Sequence, residues 1–98
     1  MMKQRMNTGE DYKKVLSRIE VIKELDYYLN LPYRVEIVKI SEEEGGGFMA
    51  RLPQFGELGI VGDGDTVQEA LRDLARNKKL RFANYLAEGQ YIPEPRDL

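Results

Sequence analysis

The run Gly64-Asp65-Thr66-Val67-Gln68-Glu69-Ala70-Leu71 constrains this chain more than any other stretch, because it fixes where a long helix begins. Thr66 stands at the N-cap with Glu69 three residues on, the spacing of a capping box. The Thr66 hydroxyl is set to accept from the Glu69 backbone N–H, and the Glu69 carboxylate to reach back to the Thr66 N–H. Gly64 and Asp65 supply the turn that aims the helix. Downstream, Val67, Ala70, Leu71, Leu74, Ala75, Phe82, Tyr85 and Leu86 fall on one apolar face as far as about Glu88. Gly89 then takes the C′ position, where a left-handed residue closes a helix.

The segments around this helix read as short strands and a second helix. Tyr33 to Ile40 carries Val35 and Ile37 with Arg34, Glu36 and Lys39 toward solvent, and reads as a first strand. Ser41 to Gly47 is a polar, glycine-rich hairpin connection. Phe48 to Leu52 alternates Phe48, Ala50 and Leu52 against Met49 and Arg51, a second strand with one buried face that Pro53 stops. Leu58 to Val61, between Gly56, Gly59 and Gly62, reads as a third strand, and Tyr91-Ile92 as a short fourth. Ahead of them, residues 1–9 read as a disordered tail. Residues 10–31 form an amphipathic helix, on which Tyr12, Val15, Leu16, Ile19, Ile22, Leu25, Tyr28 and Leu29 share a face until Leu31-Pro32 ends it. The expectation is an α+β chain: this helix, then a βββαβ domain over residues 32–98. The stripe Leu16, Ile19, Ile22 is expected to be buried, on the second face of the sheet or against another subunit. A chain of 98 residues has a small core, so a homodimer or larger homo-oligomer is expected.

Composition argues against several chemistries. There is no histidine and no cysteine. The commonest general base, the commonest zinc ligand and any thiolate nucleophile or disulfide are therefore missing. Asp63, Asp65 and Glu69 could suggest a metal or carboxylate pair, but residues 65 and 69 sit at a helix start, where they cap the first turn and complement its dipole. Glu42-Glu43-Glu44-Gly45-Gly46-Gly47 would repel a phosphate, and Gly62-Asp63-Gly64 lacks the lysine of a P-loop. The reading is of no catalytic residue, no metal and no cofactor. No apolar run approaches the ~20 residues of a membrane span, and no apolar signal core follows the basic N-terminus, so a cytoplasmic protein is expected.

The charges are unevenly placed. Residues 33–65 hold three basic and seven acidic side chains, a balance of −4. Between Leu71 and Phe82, Arg72, Arg76, Lys78, Lys79 and Arg81 face only Asp73. Arg72, Arg76 and Lys79 make a basic stripe, yet the net charge of −2 and the lack of interleaved aromatics argue against direct nucleic-acid binding. Lys78 is expected to lay its stem along the core edge.

Taken in order, Gly47-Phe48-Met49-Ala50-Arg51-Leu52-Pro53, the Gly-Asp-Thr-x-x-Glu-Ala helix start and Gly89-Gln90-Tyr91-Ile92-Pro93-Glu94-Pro95 resemble the HicB antitoxin family, over Tyr27 to Pro95. The resemblance implies a partial RNase H-like βββαβ domain that binds and silences a small HicA-like toxin, itself a double-stranded-RNA-binding fold that cuts messenger RNA. Family members usually carry a C-terminal DNA-binding module. This sequence stops at Leu98 without one, adds the 10–31 helix, and lacks the family's loop cysteine between Phe55 and Gly64, so the resemblance carries no operator-binding role onto it. The charge balance suits the same reading, because a protein that grips RNA presents a basic surface that an acidic one can occupy. The expected partner-binding residues are Glu42, Glu43, Glu44, Phe55, Glu57 and Asp63, with Asp65, Thr66 and Glu69 as a structural cap. The alternative is an orphan HicB-like structural or regulatory domain that acts as an oligomer without a toxin.

Overall fold

The computed structural model describes residues 22–96, a mixed α+β arrangement. The expected tail, residues 10–21 of the first helix, and with them Leu16 and Ile19, lie outside the described residues. Residues 22–29 are helical (α1), followed by three strands, β1 (Glu36–Lys39), β2 (Phe48–Arg51) and β3 (Val61–Gly64), and a helix α2 (Val67–Ala87). The sheet is an antiparallel meander in the order β1-β2-β3. Ala50 of β2 is the registration point, opposite Ile37 on one side and Gly62 on the other.

The hairpin from β1 to β2 contains a single 3-10 turn, Glu42–Glu44, followed by Gly45, Gly46 and Gly47, all at positive φ. Three consecutive left-handed residues confine this loop to glycine. At Gly47 a Cβ would also lie 2.6 Å from the Gly64 carbonyl oxygen.

Helix α2 lies across β3 and β2 on one face of the sheet. Ala50, Gly62, Ala70 and Leu74 meet there, and the fit is very close: a Cβ on Gly62 would stand 2.0 Å from the Leu74 backbone nitrogen. This explains a difference from the sequence reading. The third strand was expected over Leu58–Val61, but it is Val61–Gly64 that pairs with β2, and Leu58 is 77% exposed in the preceding turn. The glycines that read as turn punctuation are the helix-facing positions of β3, left bare so that the α2 backbone can approach.

The fourth strand is also not formed among the described residues. Residues 91–96 take no strand conformation, although Ile92 is buried. Pro93 and Pro95 have no N–H, and their spacing of two removes donors from one edge of the segment. Side chains hold it instead. The Tyr33 hydroxyl donates to the Pro93 carbonyl (2.7 Å), and the Gln54 side chain bonds the Glu94 carbonyl (2.7 Å) and the Arg96 N–H (3.1 Å).

Beyond the sheet, the second half of α2 carries Phe82, fully buried with Tyr28, Tyr33, Phe55 and Tyr85 around it at centroid separations of 5.5–6.5 Å. Leu25, Tyr28 and Leu29 of α1 pack onto this core. The described part of α1 therefore lies beside α2 and not across the second sheet face. Ile22, expected in a buried stripe, is 59% exposed. The second face of the sheet shows Val38, Met49 and Val61, half-buried, and Glu36 bound by Arg51. No helix among the described residues is long and apolar enough to cross a membrane.

Candidate partner-binding surface

The start of α2 organises the site. Thr66 has extended backbone angles, and its hydroxyl accepts from the Glu69 N–H at 3.1 Å, as the capping box requires. The second half of the box differs by one residue. The Glu69 carboxylate accepts from the Asp65 N–H at 2.9 Å, where the Thr66 N–H was expected. Asp65 is thereby fixed at the mouth of the β3–α2 turn, beside Gly64. At the far end, the Gly89 N–H returns to Leu86 and the Gln90 N–H to Tyr85 (2.7 Å), with Gly89 at φ +70°, a Schellman closure.

This turn and the β1–β2 hairpin lie side by side, because the close approach of Gly47 to Gly64 joins them. Between them is a groove of about 280 Å³ lined by Ile40, Glu44, Gly45, Gly46, Phe48, Asp63, Gly64 and Asp65. Its exposed lining is mostly polar, from glycine backbone and carboxylates, with Ile40 and Phe48 half-buried beneath. Glu42 and Glu43 are exposed in the same 3-10 turn, and the Ser41 hydroxyl donates to the Glu44 carboxylate at 3.1 Å. The structure thus brings Glu42, Glu43, Glu44, Asp63 and Asp65 to one end of the sheet.

It does not bring Phe55 and Glu57 there. Phe55 follows β2 in the 3-10 turn Pro53–Phe55, and its ring packs on Tyr33 (5.4 Å) and Phe82 (5.5 Å). Glu57 is exposed in the next turn.

Asp63 also borders a second, more open groove, shared with Gly64, Glu69, Arg72, Asp73 and Arg76. Here Asp73 accepts the Asp63 backbone N–H at 2.9 Å and pairs with Arg76. Those two bonds, that from the backbone first, hold the Asp73 carboxyl below its ordinary value of 3.8. Asp73 was not among the residues expected at the site. Its partner lies ten positions back on another element, so no sequence spacing betrays it. On the far side of α2, Lys78 lays its stem along the core edge as expected. Its ammonium is 3.5 Å from the Leu29 carbonyl, and burial lowers its pKa.

Among the described residues no group of three His, Cys, Asp or Glu side chains is placed to hold a metal. Chemically, the arrangement offers a shallow, largely polar groove bordered by carboxylates, suited to receiving cationic side chains by charge and hydrogen bonding. Comparison with protein-family models, with curated proteins and with solved structures finds no match for this chain.

Proposed function

We propose that this protein is an antitoxin-like binding module of HicB type, which neutralises a small basic mRNA-cleaving toxin of HicA type by covering its RNA-binding surface. The acidic groove carries this reading. Glu44, Asp63 and Asp65 rim a floor of Ile40 and Phe48, with Glu42 and Glu43 alongside. A basic side chain entering from above meets several carboxylates at once, and glycine backbone beside them. The order of three antiparallel strands and a capped helix supports the same reading, as do the motifs that resemble the family. Occlusion needs no chemistry from the antitoxin, which agrees with a chain without histidine or cysteine.

The test is co-expression with a small basic reading frame encoded beside this gene. We expect the partner to co-purify, its toxicity to be relieved, and the complex to weaken as salt rises. Glu43→Lys combined with Glu44→Lys changes only exposed positions, so the fold should persist while association drops at least tenfold, about 1.4 kcal/mol. A neighbouring toxin that binds the charge-reversed protein equally well would remove the groove from the interface. Failure to capture or neutralise any such partner would defeat the reading as a whole.

A further inference from the structure

The two edges of the sheet are treated differently. Just past the end of β1 the Ile40 N–H donates to the Gly47 carbonyl just before β2 (2.9 Å), and alternation along the ladder turns the even-numbered residues of β1 inward. The N–H and C=O groups of Val35, Ile37 and Lys39 therefore point away from the sheet. On β3 the same alternation turns Val61 and Asp63 outward, but side chains of α2 take up one backbone group of each. The Asn77 side chain donates to the Val61 carbonyl (2.8 Å), and Asp73 accepts the Asp63 N–H (2.9 Å). No backbone bond to the outward groups of β1 occurs among the described residues. Val35 and Ile37 are 43% and 40% exposed beside this edge, and Val67 and Leu71 of α2 are exposed on the helix that covers the same sheet face. No proline interrupts the strand. Its one acidic residue, Glu36, is occupied by Arg51 and Arg34 and so does little to repel a second strand.

We infer that β1 is a homodimer interface, in which the edges of two copies pair antiparallel about a two-fold axis at Ile37 to make one continuous six-stranded sheet. An open strand edge offers donors and acceptors at a spacing that another strand matches. Under a two-fold axis this edge is its own complement, with Ile37 facing Ile37 and Val35 facing Lys39 of the other copy. Side-chain pairing favours that register. An axis at Ile37 sets two exposed isoleucines against one another and places the two Glu36 carboxylates on diagonal positions, where Arg34 and Arg51 already pair with them. An axis at Glu36 would bring those carboxylates directly opposite, and an axis at Val38 would put on the diagonal the two Lys39 ammoniums, which have no ion-pair partner among the described residues. Because the Asp73 and Asn77 side chains occupy the β3 edge, a strand cannot lie along it, so growth stops at two copies and no filament forms. This interface is separate from the acidic groove and stands or falls independently of the toxin reading.

The full chain contains no cysteine, so single-cysteine variants test the register cleanly. Ile37→Cys should give a disulfide-linked dimer under mild oxidation, since paired residues across such a ladder lie about 5.5 Å apart at Cα. Lys39→Cys, several residues from its counterpart, should not. Sedimentation of the untreated protein should show a dimer that Ile37→Lys and Ile37→Pro convert to monomer with circular dichroism unchanged. The proline removes only an outward N–H and leaves the β1–β2 ladder intact. If Ile37→Pro fails to fold, Ile37→Lys decides. A monomer persisting to about 1 mM overturns the inference. So does a dimer that survives both substitutions, which would be held by another surface such as residues before 22, or one that cross-links through Lys39→Cys in preference.

Discussion

The two halves of helix α2 are packed on opposite principles. The first half, around Ala70 and Leu74, rests on β2 and β3 where side chains have been pared to Ala50, Gly62 and Gly64, and backbone nearly touches backbone. The second half, around Phe82, relies on aromatic side chains. It is held by rings from three other parts of the chain, Tyr28, Tyr33 and Phe55. Stability in the first half depends on what is absent, and in the second on buried area.

Each half should fail in its own way. Phe82→Ala should be the most damaging change, costing about 3–5 kcal/mol, because a fully buried ring leaves a cavity that several aromatic neighbours cannot close. Urea unfolding monitored by tyrosine fluorescence reads this directly. A loss below about 1 kcal/mol would mean that the cluster collapses freely. Gly62→Ala adds a single methyl group and should still cost about 1–3 kcal/mol, since the new atom meets the Leu74 backbone. A neutral Gly62→Ala would show that α2 can lift off β3, and the contrast between the halves would vanish.

Smaller effects sharpen the comparison at the start of α2. Thr66→Ala should cost about 1 kcal/mol in thermal unfolding. Glu69→Ala should cost no more, and the double variant less than the sum, because the two side chains close one turn together. If the cap is structural, partner affinity at low temperature stays unchanged in both.

The smallest effect is one of pH. Asp73 binds its proton less readily in the folded protein than in the unfolded chain. Its contribution is therefore complete above the ordinary carboxyl value of 3.8 and is lost as pH falls through the lower folded value. Asp73→Asn should lower stability in the neutral region and flatten the acid limb of a profile measured from about pH 7 to pH 2, so that the two proteins converge at the acid end. An unchanged acid limb would assign the acid sensitivity to other carboxylates.

The legibility of the sequence follows the same division. The ends of helix α2 could be read, with Thr66 and Gly89 in their expected roles and Glu69 one residue off, because caps are local. Its apolar face could be read only in part: Ala70, Leu74 and Phe82 are buried, but Val67, Leu71 and Ala75, expected on the same face, are exposed, because α2 covers β2 and β3 and not β1. The hairpin at Ser41–Gly47 and the strand at Phe48 were legible for the same reason. Strand β3 was displaced by three residues, since glycine signals a turn unless the helix that needs the space is known. Tyr91-Ile92 has the apolar character of a strand, but the prolines after it block a ladder, and the side chains of Tyr33 and Gln54 that hold the segment come from far along the chain. Phe55 illustrates the limit for the site. An aromatic residue in a Pro/Gly-rich loop reads as exposed and ready for a partner, and only the distant Tyr33 and Phe82 draw it inward. The acidic rim was legible as composition, and its division between two ends of the sheet was not.

The ring cluster around Phe82 also has a kinetic consequence. The strands and the first half of α2 are joined by short connections, and their contacts close small loops of chain. The Tyr28–Phe82 and Tyr33–Pro93 contacts join residues more than fifty positions apart. Loop closure over such distances comes late, after the local meander and helix have formed. Substitutions in the cluster should then speed unfolding and leave the folding rate almost untouched, whereas Gly62→Ala should slow folding itself. The aromatic cluster would act as a latch that sets how long the folded molecule lasts, and the bare glycine face as the surface on which it first assembles.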